Sequence, residues 1–154
     1  MRTWKYRAKE ITYLLNPAYC GKIIYAAIKK YNEITQNKKF PFSLSYLILP
    51  LMLYPDITKR EFRQKYLMNF IKKNPDIFVN YAKRARDLVT ITNETIEFLL
   101  SGKVLKMNTD SSLECYESFS LTQDVAAKKA EAFGKMLANA GSENVIYIML
   151  GVKP

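Results

Sequence analysis

Histidine is absent from this sequence of 154 residues, and glycine occurs only five times. Without an imidazole, the chain lacks the usual general base, the usual activator of a serine or cysteine nucleophile, and the commonest ligand of catalytic zinc. Neither GxGxxG nor GxxxxGKS/T occurs, so no glycine loop for phosphate binding is indicated. These absences predict a protein that is not an enzyme and has no catalytic residues, no cofactor and no metal ion.

Cysteine and long apolar runs are also scarce. Cys20 and Cys115 are far apart and lie among apolar residues, which is typical of buried thiols in a reducing compartment. A cysteine nucleophile is the alternative, but no histidine is present to activate it. The longest apolar run, residues 47–54, is far below the roughly 18 residues that span a bilayer, and the basic start is not followed by a signal-peptide core. We therefore expect a cytoplasmic protein with no membrane segment.

Acidic residues are outnumbered by basic ones, 14 to 24, which gives a net charge of +10. Such a bias indicates acidic partners: nucleic acid, an acidic protein surface or an anionic membrane. The alternative is a set of lysines that only keeps the protein soluble. The length and the 49% apolar content fit one globular domain over residues 1–154.

Local signals predict helices in the first half of the chain. Asn16 is a good cap and Pro17 suits the first helical position, so a helix is expected over residues 17–35. Residues 44–53 are apolar on every face, which is typical of a central buried helix that Pro50 should kink or end.

The middle of the chain carries three further helix signals. Thr58 and Glu61 match a capping box, and Asn74-Pro75 repeats the Asn16-Pro17 pattern. A short helix over residues 92–100 follows, which Gly102 is placed to end in the left-handed conformation.

A β-hairpin and two helices are predicted for the C-terminal part. Turn residues at 108–111 separate two strand-like segments. Thr122 should cap a helix from Gln123 to about residue 139, and Ser142 a last short helix that ends at Gly151. Gly134 lies inside the longer helix, where it costs about 1 kcal/mol against alanine, so a neighbouring backbone is expected to pack closely there.

The order of these elements predicts a fold that is mainly α with one small β-hairpin. Two helices, a short helix and a hairpin over residues 57–118 are the order of a winged helix, and residues 122–150 would be the C-terminal helices. The short helix would expose Asn93, Glu94, Thr95 and Glu97. Because two acids on that face oppose reading of a DNA groove, we slightly favour protein contacts for this module.

Basic residues cluster in the first two helices of that module and in its wing. They are candidate contacts for phosphates or for an acidic protein partner, and the alternative is a solvated helix face. The candidates are Lys59, Arg60, Arg63, Lys65, Lys72, Lys73, Lys83, Arg84, Arg86, Lys103 and Lys106.

Aromatic residues are plentiful, with 11 Tyr, 8 Phe and one Trp. A stacking platform for single strands is one interpretation, but most of these residues fall on predicted inward faces and are expected in the core. The basic and aromatic N-terminus is the exception and is a candidate protein-partner arm. It consists of Arg2, Trp4, Lys5, Tyr6 and Arg7.

Taken in order, several segments resemble the small middle component of bacterial three-component ABC-ATPase systems, including the Lamassu-type anti-phage systems. No single motif is specific, and the resemblance lies in the order and spacing over nearly the whole chain. The segments are NPAYC at 16–20, FSLSYLILPLMLY at 42–54, YAKRARDL at 81–88, residues 92–100, AFGK at 132–135 and IMLGVKP at 148–154.

The resemblance implies an adaptor with no activity of its own. It implies two partner subunits: a coiled-coil ABC ATPase of the structural-maintenance or Rad50 kind, and an effector, often a nuclease, that is kept quiet until foreign DNA is sensed. Double-stranded DNA held through non-specific phosphate contacts is a further candidate partner. A free-standing winged-helix DNA-binding regulator is the alternative.

Overall fold

The computed structural model describes residues 16–36, 38–116 and 124–153. Within them, helices and a small sheet form a single domain that is mainly α, as predicted. The helices are α1 (Pro17–Thr35), α2 (Ile48–Met52), α3 (Leu67–Lys73), α4 (Tyr81–Asp87), α5 (Val89–Ser101), α6 (Val125–Ala138) and α7 (Glu143–Met149). The strands are β1 (Phe40–Pro41), β2 (Leu105–Met107) and β3 (Ser112–Cys115). Two 3-10 helices, Phe42–Leu47 and Ile57–Lys59, precede α2 and α3.

Helix α1 begins as predicted. The Asn16 side chain accepts a hydrogen bond from the Ala18 amide at 2.7 Å, and Pro17 occupies the first turn, where its missing N–H costs nothing. The helix then runs to Thr35, and one face is fully buried from Cys20 to Tyr31. This helix is the centre of the domain.

The apolar segment at 44–53 is largely buried as predicted, but its helix does not end at Pro50. The chain forms a 3-10 helix to Leu47 and then α2, of which Pro50 is the third residue. Amides in the first turn of a helix have no partner within that helix, so proline is tolerated there. Every residue of α2 is buried, including Pro50.

Two predicted helix starts were wrong. Thr58 and Glu61 begin no helix: Thr58 lies in a short 3-10 helix, and α3 begins only at Leu67. Asn74 caps the end of α3 and does not start a helix, because its side-chain amide donates to the Phe70 carbonyl at 2.9 Å. Turns fill residues 75–80 before α4. Distant residues hold the segment at 60–62, since Phe62 packs against Phe70 and the Arg60 carbonyl accepts a hydrogen bond from Lys129. Such tertiary contacts override a local capping signal.

The predicted short helix at 92–100 is part of α5, and its end differs by one residue. Gly102 has an ordinary φ of −82°, and Lys103 takes the left-handed conformation at φ 58°. The Lys103 amide donates to the Leu100 carbonyl and the Val104 amide to the Leu99 carbonyl, the two bonds of a Schellman motif. The prediction that Gly102 is left-handed was therefore wrong.

The β-hairpin is confirmed and gains a third strand that the sequence did not indicate. Strands β2 and β3 pair antiparallel, with Lys106 opposite Glu114, and β1 pairs with the other side of β3 to give the order β1-β3-β2. Asn32 of α1 fixes this sheet to the helix: its side chain donates to the Leu113 carbonyl at 3.0 Å and accepts from the Phe40 amide at 2.8 Å. A two-residue strand carries too little pattern to be recognised locally.

Helix α6 packs along α1 through small residues. An ideal Cβ at Gly134 would lie 2.3 Å from the Ala27 carbonyl oxygen, which confirms the predicted close approach. The helix begins at Val125 and not at Gln123, because the Asp124 side chain accepts from the Ala127 amide at 2.8 Å and is the cap. Thr122, the predicted cap, lies outside the described residues.

Helix α7 follows the prediction. The Ser142 hydroxyl accepts from the Val145 amide at 3.4 Å, and Gly151 has a φ of 71° just after the helix.

The winged-helix arrangement of residues 57–118 is not confirmed, although helices and hairpin occur in that order. Among the described residues, no helix is both long and apolar enough to cross a bilayer.

Candidate partner-binding surfaces

Nine of the eleven predicted basic contact residues have exposed side chains; Arg60 and Arg84 are half-buried. The structure gives these two arginines internal partners. Arg84 of α4 donates to the carbonyl oxygens of Pro50 at 3.3 Å and Ile77 at 2.7 Å. Its guanidinium also lies 4.9 Å from the centre of the Tyr54 ring. Arg84 thus joins α2 and α4.

Arg60 is held by Asp76. One guanidinium nitrogen lies 3.1 Å from Asp76 Oδ1 and the other 2.5 Å from Oδ2, while the first also donates to the Asn74 side chain at 3.1 Å. The hydrogen bonds from Arg60 lower the pKa of Asp76 from 3.8 to about 2. This paired contact fixes the chain before α3 to the turn that follows it.

The exposed cations fall into two groups. Lys83 pairs with Asp87 at 3.3 Å, Lys106 with Glu114 at 3.5 Å, and Arg63 with Glu61 at a loose 3.9 Å. The others have no acidic partner within 4.0 Å in the part of the chain that the structure describes. They are Lys59, Lys65, Lys72, Lys73, Arg86 and Lys103. This second group is available to an external anion.

Sequence reasoning missed a basic contribution from α6. The segment at 61–63 meets this helix and forms a groove with Lys128, Lys129 and Val125. Lys129 donates to the Arg60 carbonyl, and its ammonium lies 5.3 Å from the centre of the Phe62 ring. The spacing of 125, 128, 129 and 132 puts these side chains on one face of a helix. That spacing could have indicated a basic helix face in the sequence. The segment at 61–63, which forms the other wall of the groove, is distant in sequence and could not be paired with it.

Helix α5 presents an acidic outer face, as predicted except at one position. Glu94 and Glu97 are exposed, and exposed Asn93 accepts a hydrogen bond from the Tyr46 hydroxyl at 2.6 Å. Thr95 was expected on this face but is buried, and its hydroxyl donates to the Ile91 carbonyl at 2.8 Å. Thr95 is therefore part of the packed side of the helix.

Both cysteines are thiols, with Cys20 buried and Cys115 half-buried. Burial raises the pKa of the Cys20 thiol to about 11 and that of Cys115 to about 12. Because the thiolate is the reactive form, both are poor nucleophiles near neutral pH. This environment fits the packing role expected from the sequence.

The predicted partner arm of Arg2, Trp4, Lys5, Tyr6 and Arg7 lies outside the described residues.

No group of three or more His, Cys, Asp or Glu side chains suited to a metal ion occurs among the residues that the structure describes. The aromatic residues behave largely as expected, since Tyr25, Tyr31 and Tyr81 are among the largest fully buried side chains.

The fold and its surfaces define a small helical protein that offers contact faces around one packed core. The chain belongs to the family described as ABC-three component (ABC-3C) system Middle Component 3, whose model matches residues 4–154. This match confirms the resemblance to a middle component of ABC three-component systems and implies partner subunits in a multi-component system. No curated protein and no solved structure matched the chain.

Proposed function

We propose that this protein is a non-catalytic adaptor in a bacterial anti-phage defence complex of the Lamassu kind. It bridges a coiled-coil ABC ATPase, similar to structural-maintenance or Rad50 proteins, and an effector that we propose is a nuclease. The complex works in the cytoplasm. The observation that carries the proposal is membership of a middle-component family over residues 4–154. High thiol pKa values and the lack of histidine support a role without chemistry of its own.

The charge layout supports binding to two different partners. Cations of α3 and α4 that have no acidic partner among the described residues, such as Lys72, Lys73 and Arg86, favour an acidic partner, whereas Glu94 and Glu97 on α5 favour a basic one. Opposite charges on different helices steer two partners to different sites and disfavour exchange between them. An adaptor needs this kind of separation.

Co-expression tests the adaptor role. With an affinity tag on this chain, the neighbouring ATPase and effector subunits should co-purify and remain bound through gel filtration. A chain that elutes alone, with both partners present and folded in the same extract, would contradict the proposal. The double variant Glu94→Lys/Glu97→Lys should weaken retention of one partner only, whereas Glu33→Lys, an exposed change on α1, should weaken neither.

DNA contact is a second part of the proposal, through non-specific phosphate binding by the exposed cations. Gel shifts of the isolated chain on a random duplex should show weak binding that falls steeply with salt. Replacing Lys72, Lys73 and Arg86 together by alanine should reduce the slope of log affinity against log salt by up to about 3, roughly one for each phosphate that is no longer neutralised.

The alternative function is a free-standing winged-helix regulator. The net charge of +10 and the order of helices followed by a hairpin favour it. The same gel shifts separate the two: tight, sequence-specific binding at moderate salt would favour the regulator.

A further inference from the structure

The groove between the segment at 61–63 and helix α6 has an apolar floor. Val125, in the first turn of α6, is 56% exposed although valine prefers burial. Phe62 lies beside it, half-buried, with its ring 4.7 Å from that of Phe70, and Ala132 extends the floor along the helix. Covering Val125 would stabilise a complex through the hydrophobic effect.

The rim of this groove is positively charged. The side chain of Arg63 is 82% exposed, with only the loose contact to Glu61 at 3.9 Å. Lys128 is exposed and has no acidic partner within 4.0 Å in the described ranges. Asp124 does not neutralise the rim, because it forms an ion pair with Lys22. Glu61 also lines the groove, so two exposed cations and one exposed acid surround a floor in which Val125 is the exposed apolar residue.

We propose that this groove binds an acidic amphipathic segment of a partner subunit. An apolar side chain of that segment would pack on Val125 and Phe62, and its carboxylates would pair with Arg63 and Lys128. The combination favours a peptide over nucleic acid, because a phosphate backbone has nothing apolar to place on Val125. The inference rests on the proposed adaptor role, since it states the chemistry of one partner element.

A titration of the isolated full chain tests the groove directly. The probe is a twelve-residue peptide with four glutamates around one leucine, and its control has glutamine at each glutamate position. Methyl NMR of the chain should show shifts at Val125 and Ala132 with the acidic peptide only. Arg63→Glu and Lys128→Glu should each weaken binding about tenfold. Lys38→Glu changes the net charge equally at an exposed position before β1 and should have little effect.

Three outcomes would overturn the proposal. The acidic peptide could leave the Val125 and Ala132 methyls unshifted, Lys38→Glu could weaken binding as much as Lys128→Glu, or a DNA duplex could shift the same methyls and displace the peptide. Far-UV circular dichroism and the melting temperature verify that the variants fold. Failure of wild-type co-purification would refute the adaptor role, whereas failure of the peptide titration refutes only the groove.

Discussion

At Gly134 the backbone of α6 approaches that of α1 closely enough to exclude a side chain. We expect Gly134→Ala to destabilise the protein by about 1–3 kcal/mol, the usual cost of overpacking, despite the better helix propensity of alanine. The obstructing atom is the Ala27 carbonyl oxygen, so the two helices must move apart. Urea unfolding measures the change.

Gly102→Ala is the matched control for Gly134→Ala. An ideal Cβ at Gly102 would lie 3.3 Å from the Phe98 carbonyl oxygen, a tight contact that a shift of a few tenths of an ångström relieves, and the φ of Gly102 is ordinary. We expect a smaller loss than at Gly134, about 1 kcal/mol or less. Equal losses in the two variants would show that the α1–α6 contact is looser than the structure has it.

The Arg60–Asp76 contact makes a pH-dependent contribution to stability. The pKa of Asp76 in the folded protein is about 2, below its ordinary value of 3.8. Protonation therefore favours the unfolded chain, so this contribution is complete above about pH 4 and is lost as the pH falls towards 2. Carboxyl NMR titration of the folded protein should give the low pKa directly.

Arg60→Gln should raise the pKa of Asp76 towards its ordinary value, because Arg60 is the main cause of the shift. Arg63→Gln removes an equal charge that forms no hydrogen bond with Asp76 and should leave the pKa unchanged within error. An Asp76 that titrates near 4 in the wild-type protein would contradict the contact.

The roles of some single residues were predictable from the sequence, and those of others were not. Close packing at Gly134 was predictable, because a glycine inside a helix costs free energy that close packing can offset. The left-handed residue after α5 was placed at Gly102 and lies at Lys103, because the position of a helix end depends on which carbonyls the following amides reach. That choice is made by the packed chain and not by composition.

Among the elements, the sheet depends on one side chain of α1. Asn32 contacts both β1 and β3, so we expect Asn32→Ala to cost about 1–3 kcal/mol by leaving buried backbone groups without a partner. Thermal unfolding measures the loss, and hydrogen exchange should show faster exchange at the Phe40 amide. Glu33→Ala, the neighbouring exposed position, should change neither. Unchanged protection of Phe40 in Asn32→Ala would refute this role.

Two similar dipeptides show how far local signals determine the elements. Asn16-Pro17 starts α1, whereas Asn74-Pro75 ends α3 and leads into turns. The Asn74 side chain is buried and binds the Phe70 carbonyl and Arg60, contacts that no local pattern contains. Long amphipathic helices and the hairpin were predictable; caps that depend on distant partners and the two-residue strand β1 were not.

For the whole molecule, the sequence indicated a mainly helical domain, a family and a set of cations. It could not separate arginines with internal roles from those open to a partner, because Arg84 reaches carbonyls of Pro50 and Ile77 through the fold. It also missed the groove, whose two walls are more than sixty positions apart in the chain.

The proposed adaptor role requires this chain to hold two other subunits together. Native mass spectrometry of the co-expressed ATPase and effector, with and without the chain, tests this role. We predict that one assembly with all three subunits forms when the chain is present and that the two large subunits separate when it is omitted. An ATPase–effector complex of unchanged stability without this chain would rule out the adaptor role.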